Sequence, residues 1–280
     1  MSGMPDMPPP PGGGGGTPIP TRGFGDLLGA AFEQYKDNIA KLAPIVAVVV
    51  IPLTLIGALI ANAIDPNDVV EATYDPTTGA LTSVAVNDSF IATLIGGLVV
   101  GAAVAVITAA LLQAVILRAS AQAVVGDPVD VGASYKWGLR KIGPVIWISI
   151  LVGLIVAGGL ILFIIPGIIF MVLLSVAIPA LVVENQRGTG ALSRSWNLVK
   201  GDWWRVLGII VVTSIITNVV GNILGAIGGN SLIGMWITDA IAQIITGPFT
   251  ALVSILLYLD LRARKEGLTV ETLRANIAST

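Results

Sequence analysis

Asp239 is the carboxylate that invites a chemical reading. It stands inside a long apolar stretch, seven residues after Leu232, with Gln243 one helical turn further on. An ionisable group within a bilayer is costly when it faces lipid, so it is a candidate for handling a proton, an ion or a polar substrate. The preceding apolar stretch carries Ser214, Asn218, Gly221, Asn222, Gly225 and Gly229, which fall on one narrow stripe at about 100° per residue. The three glycines form two overlapping GxxxG spacings, which favour close helix contact. Asp239, Gln243, Thr246, Thr250 and Ser254 make a second stripe. On consecutive antiparallel helices the stripes are expected to face each other, giving a polar intramembrane cluster of Asn218, Asn222, Asp239 and Gln243. The plainer reading is favoured: about 10 Å along its helix, Asp239 is a packing or interfacial residue near the outer surface.

A second constellation is ALSRSWNLVKGDWWR, residues 191–205. Arg194, Lys200 and Arg205 offer charge-assisted donors suited to a phosphate. Trp196, Trp203 and Trp204 between them favour an interfacial belt, with indoles at headgroup depth and bases toward anionic lipid. These six are the candidate headgroup-binding residues. Asp260 with Arg264 and Arg262 with Glu266 have i,i+4 spacing and are expected to steady the last turns of a helix. The chain has no Cys and no His, so thiolate and imidazole chemistry is missing. No catalytic residues, metal or cofactor are expected, and the chain is read as not an enzyme.

The elements that hold these residues must suit a bilayer. Of 280 residues 55% are hydrophobic and 11% charged, against about 25% charged in a soluble domain. A spanning helix needs roughly 20 predominantly apolar residues. Six stretches qualify: 42–64, 90–117, 142–164, 168–183, 206–227 and 232–259. The third and fourth form one apolar run, divided at Ile165-Pro166-Gly167 because Pro cannot continue the backbone ladder and Gly permits reversal. Orientation follows from the bases, which gather on the cytoplasmic side. With the amino terminus inside, all 15 Lys and Arg fall in the inner segments, whereas the outer loop from Asp65 to Asp88 has five acids and no base. The expected fold is all-α and polytopic: six transmembrane helices, both termini cytoplasmic, in the plasma membrane.

Residues 1–22 are rich in Pro and Gly and read as a disordered tail, dispensable for folding through residue 20. Residues 23–268 are the membrane domain and 269–280 a cytoplasmic C-terminal tail. Stretches from Gly29, Gly132 and Gly190 share an order of Gly-Ala, an amphipathic segment with aromatics and bases, then a span. This suggests three units of an interfacial helix plus a hairpin. Pro52, Pro179 and Pro248 are expected to kink spans.

The second half resembles the membrane domain of bacterial glycerophosphoryl diester phosphodiesterases, also found in stand-alone membrane proteins. The resemblance rests on Ile165-Pro166-Gly167, Pro179, Glu184, Ala191, Arg194, Ser195, Trp196, Gly201 and Trp204, then Tyr258, Asp260, Arg262, Arg264, Glu266 and Gly267. It implies the membrane module without the enzyme, since the family's phosphodiesterase activity resides in a separate soluble barrel that uses His. The expected function is a non-enzymatic scaffold or lipid-associated module. Its partners are membrane lipids, with anionic headgroups on the cytoplasmic face, and no nucleic acid. The alternative is a small transporter with a polar path between spans five and six.

Overall fold

The computed structural model describes residues 17–63, 70–86, 88–184, 186, 188–229 and 231–278. Most of the Pro/Gly tail, Asp65 and Asp68 of the acidic loop, and Arg187 lie outside the described residues. Apolar sequence without a strand period gives long helices: α1 (Phe24–Ala63), α2 (Asp88–Val124), α3 (Val131–Leu162), α7 (Trp203–Gly228) and α8 (Leu232–Glu266). Short helices α4 (Ile164–Leu173), α5 (Ala177–Glu184), α6 (Thr189–Val199) and α9 (Val270–Ala278) complete the helical set. Among the described residues, five helical segments are long and apolar enough to cross a membrane: Phe24–Ile56, Val131–Leu162, Ile164–Glu184, Trp203–Gly228 and Trp236–Glu266. The protein is therefore a mainly helical, membrane-embedded chain.

The acidic loop departs from the all-α expectation. It contains strands β1 (Val70–Tyr74) and β2 (Leu81–Val86), paired antiparallel from Val70 opposite Val86 to Tyr74 opposite Leu81. Asp75 closes the turn: its Oδ1 accepts the backbone N–H groups of Thr77 at 2.7 Å and Thr78 at 2.9 Å. Those bonds hold its carboxyl below the usual carboxylate range.

Capping sets several boundaries. Asp130 accepts the Ala133 N–H at the start of α3, Ser231 accepts the Gly234 N–H at the start of α8, and Gly267 ends α8 in the left-handed conformation. The long apolar run breaks at Phe163, which is extended, and not at residues 165–167. Pro166 instead lies in the first turn of α4, where its missing N–H is harmless. Gly167 is needed for contact: a Cβ there would sit 2.4 Å from Leu160 Cγ, and one on Gly159 would lie 2.9 Å from Gly167 Cα. Pro179 likewise falls in the first turn of α5 and kinks nothing, whereas Pro44 and Pro144 lie inside α1 and α3.

The first two amphipathic stretches run without a break into the apolar helices that follow, as α1 and α3. Only the third forms a separate helix, α6, because the chain turns at Gly201, whose φ of 103° suits glycine alone.

The end of the molecule where α8 finishes, the basal end, gathers the other termini. Ser134 of α3 donates to Gln122 of α2, and Arg274 of α9 donates to the Val125 carbonyl at 3.1 Å. The C-terminal tail is thus largely the docked helix α9, with Leu273 buried, as is Leu268 just before it. The boundary expected at residue 22 also moves. Pro18 bridges Thr269, the Ile19 N–H donates to the Leu268 carbonyl and the Val270 N–H to the Thr17 carbonyl, both at 3.0 Å. Residues 17–22 are a docked strand, because the α8–α9 connection leaves backbone groups that need partners.

Candidate functional site

Asp260 is fully buried, and a carboxylate can be held there only by converging donors. Oδ2 accepts from Arg205 Nη1 at 2.6 Å and Arg264 Nε at 2.8 Å, and Oδ1 accepts the Arg22 N–H at 2.6 Å. Arg205 Nη2 and Arg264 Nη2 both donate to the Arg22 carbonyl. One carboxylate thereby ties α7, α8 and the docked strand together. The Asp260–Arg264 spacing is visible in sequence, whereas Arg205 and Arg22 arrive only through the fold.

Glu184 centres a second cluster. Arg194 Nη2 lies 2.7 Å from its Oε1, the Tyr258 hydroxyl donates to the same oxygen, and Arg262 Nε stands 3.1 Å away. Arg194 also spans to Glu266, with Nη2 at 2.7 Å from Oε2, and Arg262 Nε reaches Glu266 at 3.1 Å. Hydrogen bonding to Glu266 and then to Glu184 raises the Arg194 pKa further above its ordinary value. The expected Arg262–Glu266 pair is therefore one edge of a network joining α5, α6 and α8. Glu184 is the one acid between Asp130 and Asp202. A lone acid closing a long apolar run, followed closely by arginines, is the signal that could have marked it.

The two clusters differ in charge. Glu184 and Glu266 are matched by Arg194 and Arg262, but Asp260 faces both Arg205 and Arg264. Within the Asp260 cluster, two guanidinium groups, one from α7 and one from α8, face a single carboxylate. Of the candidate headgroup-binding residues, Arg194 and Arg205 turn to the chain's own carboxylates. Lys200 is exposed, and its ammonium pairs with no carboxylate among the described residues. Trp204 is 79% exposed and packs edge-on against half-buried Trp203, and Trp196 leans on Phe170.

At the opposite end, Asn218, Asn222 and Asp239 line one groove of about 500 Å³ between α7 and α8. Gln243 Nε2 donates to Asp239 Oδ2 at 2.8 Å. The asparagine amides donate back to α7, Asn218 to the Ser214 carbonyl and Asn222 to the Asn218 carbonyl. Asp239, Asn218 and Asn222 are all exposed on the molecular surface. The glycine stripe does not bring helices together: a Cβ on Gly221 or Gly225 would meet open space. The second stripe divides, since Thr250 and Ser254 look toward α2 while Asp239 looks toward α7. Stripes on a helix wider than one neighbour cannot all face the same partner.

A family model described as a domain of unknown function, DUF7847, matches residues 39–259. The chain belongs to that family. The DUF7847 match includes the whole polar groove, Glu184, Arg194, Arg205 and Tyr258, and ends one residue before Asp260. No curated protein and no solved structure matches the chain.

Proposed function

We propose that this chain is a non-enzymatic integral membrane protein, a lipid-associated module whose basal end faces the cytoplasm and binds anionic headgroups. The observation that carries this reading is the unmatched positive charge of the Asp260 cluster, beside exposed Lys200 and Trp204. An indole at headgroup depth next to surplus cations is the pairing an anionic leaflet favours. An even number of crossings, with both termini inside, places every base in a cytoplasmic segment. The resemblance to the membrane module of glycerophosphoryl diester phosphodiesterases, without their barrel, supports the same reading. The test is reconstitution in mixed vesicles of phosphatidylglycerol and phosphatidylcholine, followed by analysis of the lipid retained after extraction. The parent should retain phosphatidylglycerol preferentially, and Lys200→Gln with Trp204→Ala should lose that preference. Equal retention by parent and variant would sink the proposal.

A second reading, a small permease using the α7–α8 groove, is favoured by its volume and by Asp239. Against it, the groove reaches no lower than Thr217, and α7 is buried beneath at Thr213 and Ile209. Asp239→Asn in reconstituted vesicles decides this reading: loss of a proton or cation flux with an intact fold would establish it over the scaffold.

A further inference from the structure

The hairpin of α3 and α4 is apolar and long enough to be read as two crossings, but its neighbours place its tip elsewhere. We propose that this hairpin is re-entrant: it enters the bilayer from the basal side, turns at Phe163 among the acyl chains of that leaflet, and leaves on the side where it entered. The inference deepens the lipid-associated reading by naming a surface and its partner, the lipid tails of the cytoplasmic leaflet.

Depth carries the argument. Ile165, Ile168 and Ile169 of α4 share an apolar groove of about 570 Å³ with Trp203, Trp204 and Leu207. Those α7 residues belong to its first two turns and flank Arg205, whose partner Asp260 lies near the basal end of α8. A tip on the far side would instead lie near Gly228, about 35 Å along α7. The rest of α4 agrees. Phe170 packs on Trp196 of α6, and the chain leaves α4 beside Ser195 of the same helix, whose hydroxyl donates to the Leu173 carbonyl at 2.7 Å. With ten residues, α4 rises about 15 Å, half the hydrocarbon thickness. The following helix, α5, already ends at Glu184 in the basal ion-pair network.

Chemistry names the partner. From residue 150 to 174 there is no polar side chain. Ile161, Leu162, Phe163, Ile164 and Ile165 are each 70–84% exposed at the tip. A turn emerging into water on the outer face would present five large apolar side chains to it, whereas in the leaflet interior they meet lipid. Trp203 and Trp204 on the flank sit where a tail reaches down from the headgroup layer. Crossings then fall to four, by α1, α2, α7 and α8, and the parity that keeps both termini inside is preserved.

The chain lacks cysteine, so single-cysteine variants can be read directly. Phe163→Cys, and Ile161→Cys as a second probe, are compared in the full-length protein with Thr77→Cys and Gly188→Cys. An impermeant maleimide is applied to intact cells and to inside-out vesicles. Both tip variants should be labelled from neither side. A permeant bimane at the same positions should lose fluorescence to phospholipids carrying a mid-chain doxyl group. Labelling of the tip from the Thr77 side would show a full crossing and overturn the proposal. Labelling from the Gly188 side would put the tip in water or on a soluble partner and overturn it equally. Protection from both sides without doxyl quenching would mean that protein, such as a second copy of the chain, covers the tip, which also refutes it. Headgroup preference is read separately, by the lipid-retention test, so either reading can fail alone.

Discussion

Ser195 carries no charge and reaches no solvent, yet it repairs the backbone where α4 gives way to α5. Its hydroxyl donates to the Leu173 carbonyl and accepts the Val176 N–H at 3.2 Å. Buried backbone groups need partners, and the break at residues 174–176 leaves these two without helical ones. Ser195→Ala should therefore destabilise the protein by about 1–3 kcal/mol, the cost of unsatisfied buried groups, measured as a loss of thermal stability in detergent. An alanine variant as stable as the parent would mean that another group bridges the break. At this scale the sequence was informative about type and silent about partner. Arg194, Ser195 and Asp260 could be marked by pattern, but the ends of their hydrogen bonds lie on other helices. The Asp239 neighbourhood was the more legible part, because Asn218, Asn222 and Gln243 are related to it by helical period and a single hairpin.

Elements were legible where a period repeats and illegible where a short segment borrows its structure from elsewhere. The long helices follow from apolar runs that outlast any strand. Strand β1 alternates and precedes Asp75-Pro76, but β2, Leu-Thr-Ser-Val-Ala-Val, does not, so the hairpin shows only half of a strand pattern. Residues 17–22 have no periodicity of their own and are ordered by the backbone of the α8–α9 connection and by Asp260. That dependence makes a sharp prediction. A chain beginning at Thr17 should keep the parent's thermal stability, and one beginning at Gly23 should lose about 1–4 kcal/mol, from several hydrogen bonds at about 0.5–1.5 kcal/mol each. Urea denaturation in mild detergent, comparing the two truncations, measures the difference. Equal stability would show that the strand is a passenger on the basal end.

For the whole molecule the strongest sequence signal was the placement of charge, which needs no knowledge of packing. Bases accumulate on the side from which insertion begins, and Arg22, Arg194, Lys200, Arg205, Arg262, Arg264 and Lys265 gather at the end of the fold where α8 finishes. What charge placement does not report is how many times the apolar segments cross, because removing a pair of crossings leaves every charge on the same side. The orientation can be tested independently of that count. Thr77 lies in the exposed β1–β2 turn that follows α1, and Ser231 caps the start of α8, at the opposite end of that helix from Asp260, whereas Gly188 precedes α6 at the basal end. Cysteines at Thr77 and Ser231 should react with an impermeant maleimide on intact cells, and a cysteine at Gly188 should react only after the membrane is opened. Reaction at Gly188 on intact cells would invert the molecule, moving the cations of the Asp260 cluster to the outer leaflet and removing the basis for a cytoplasmic headgroup site.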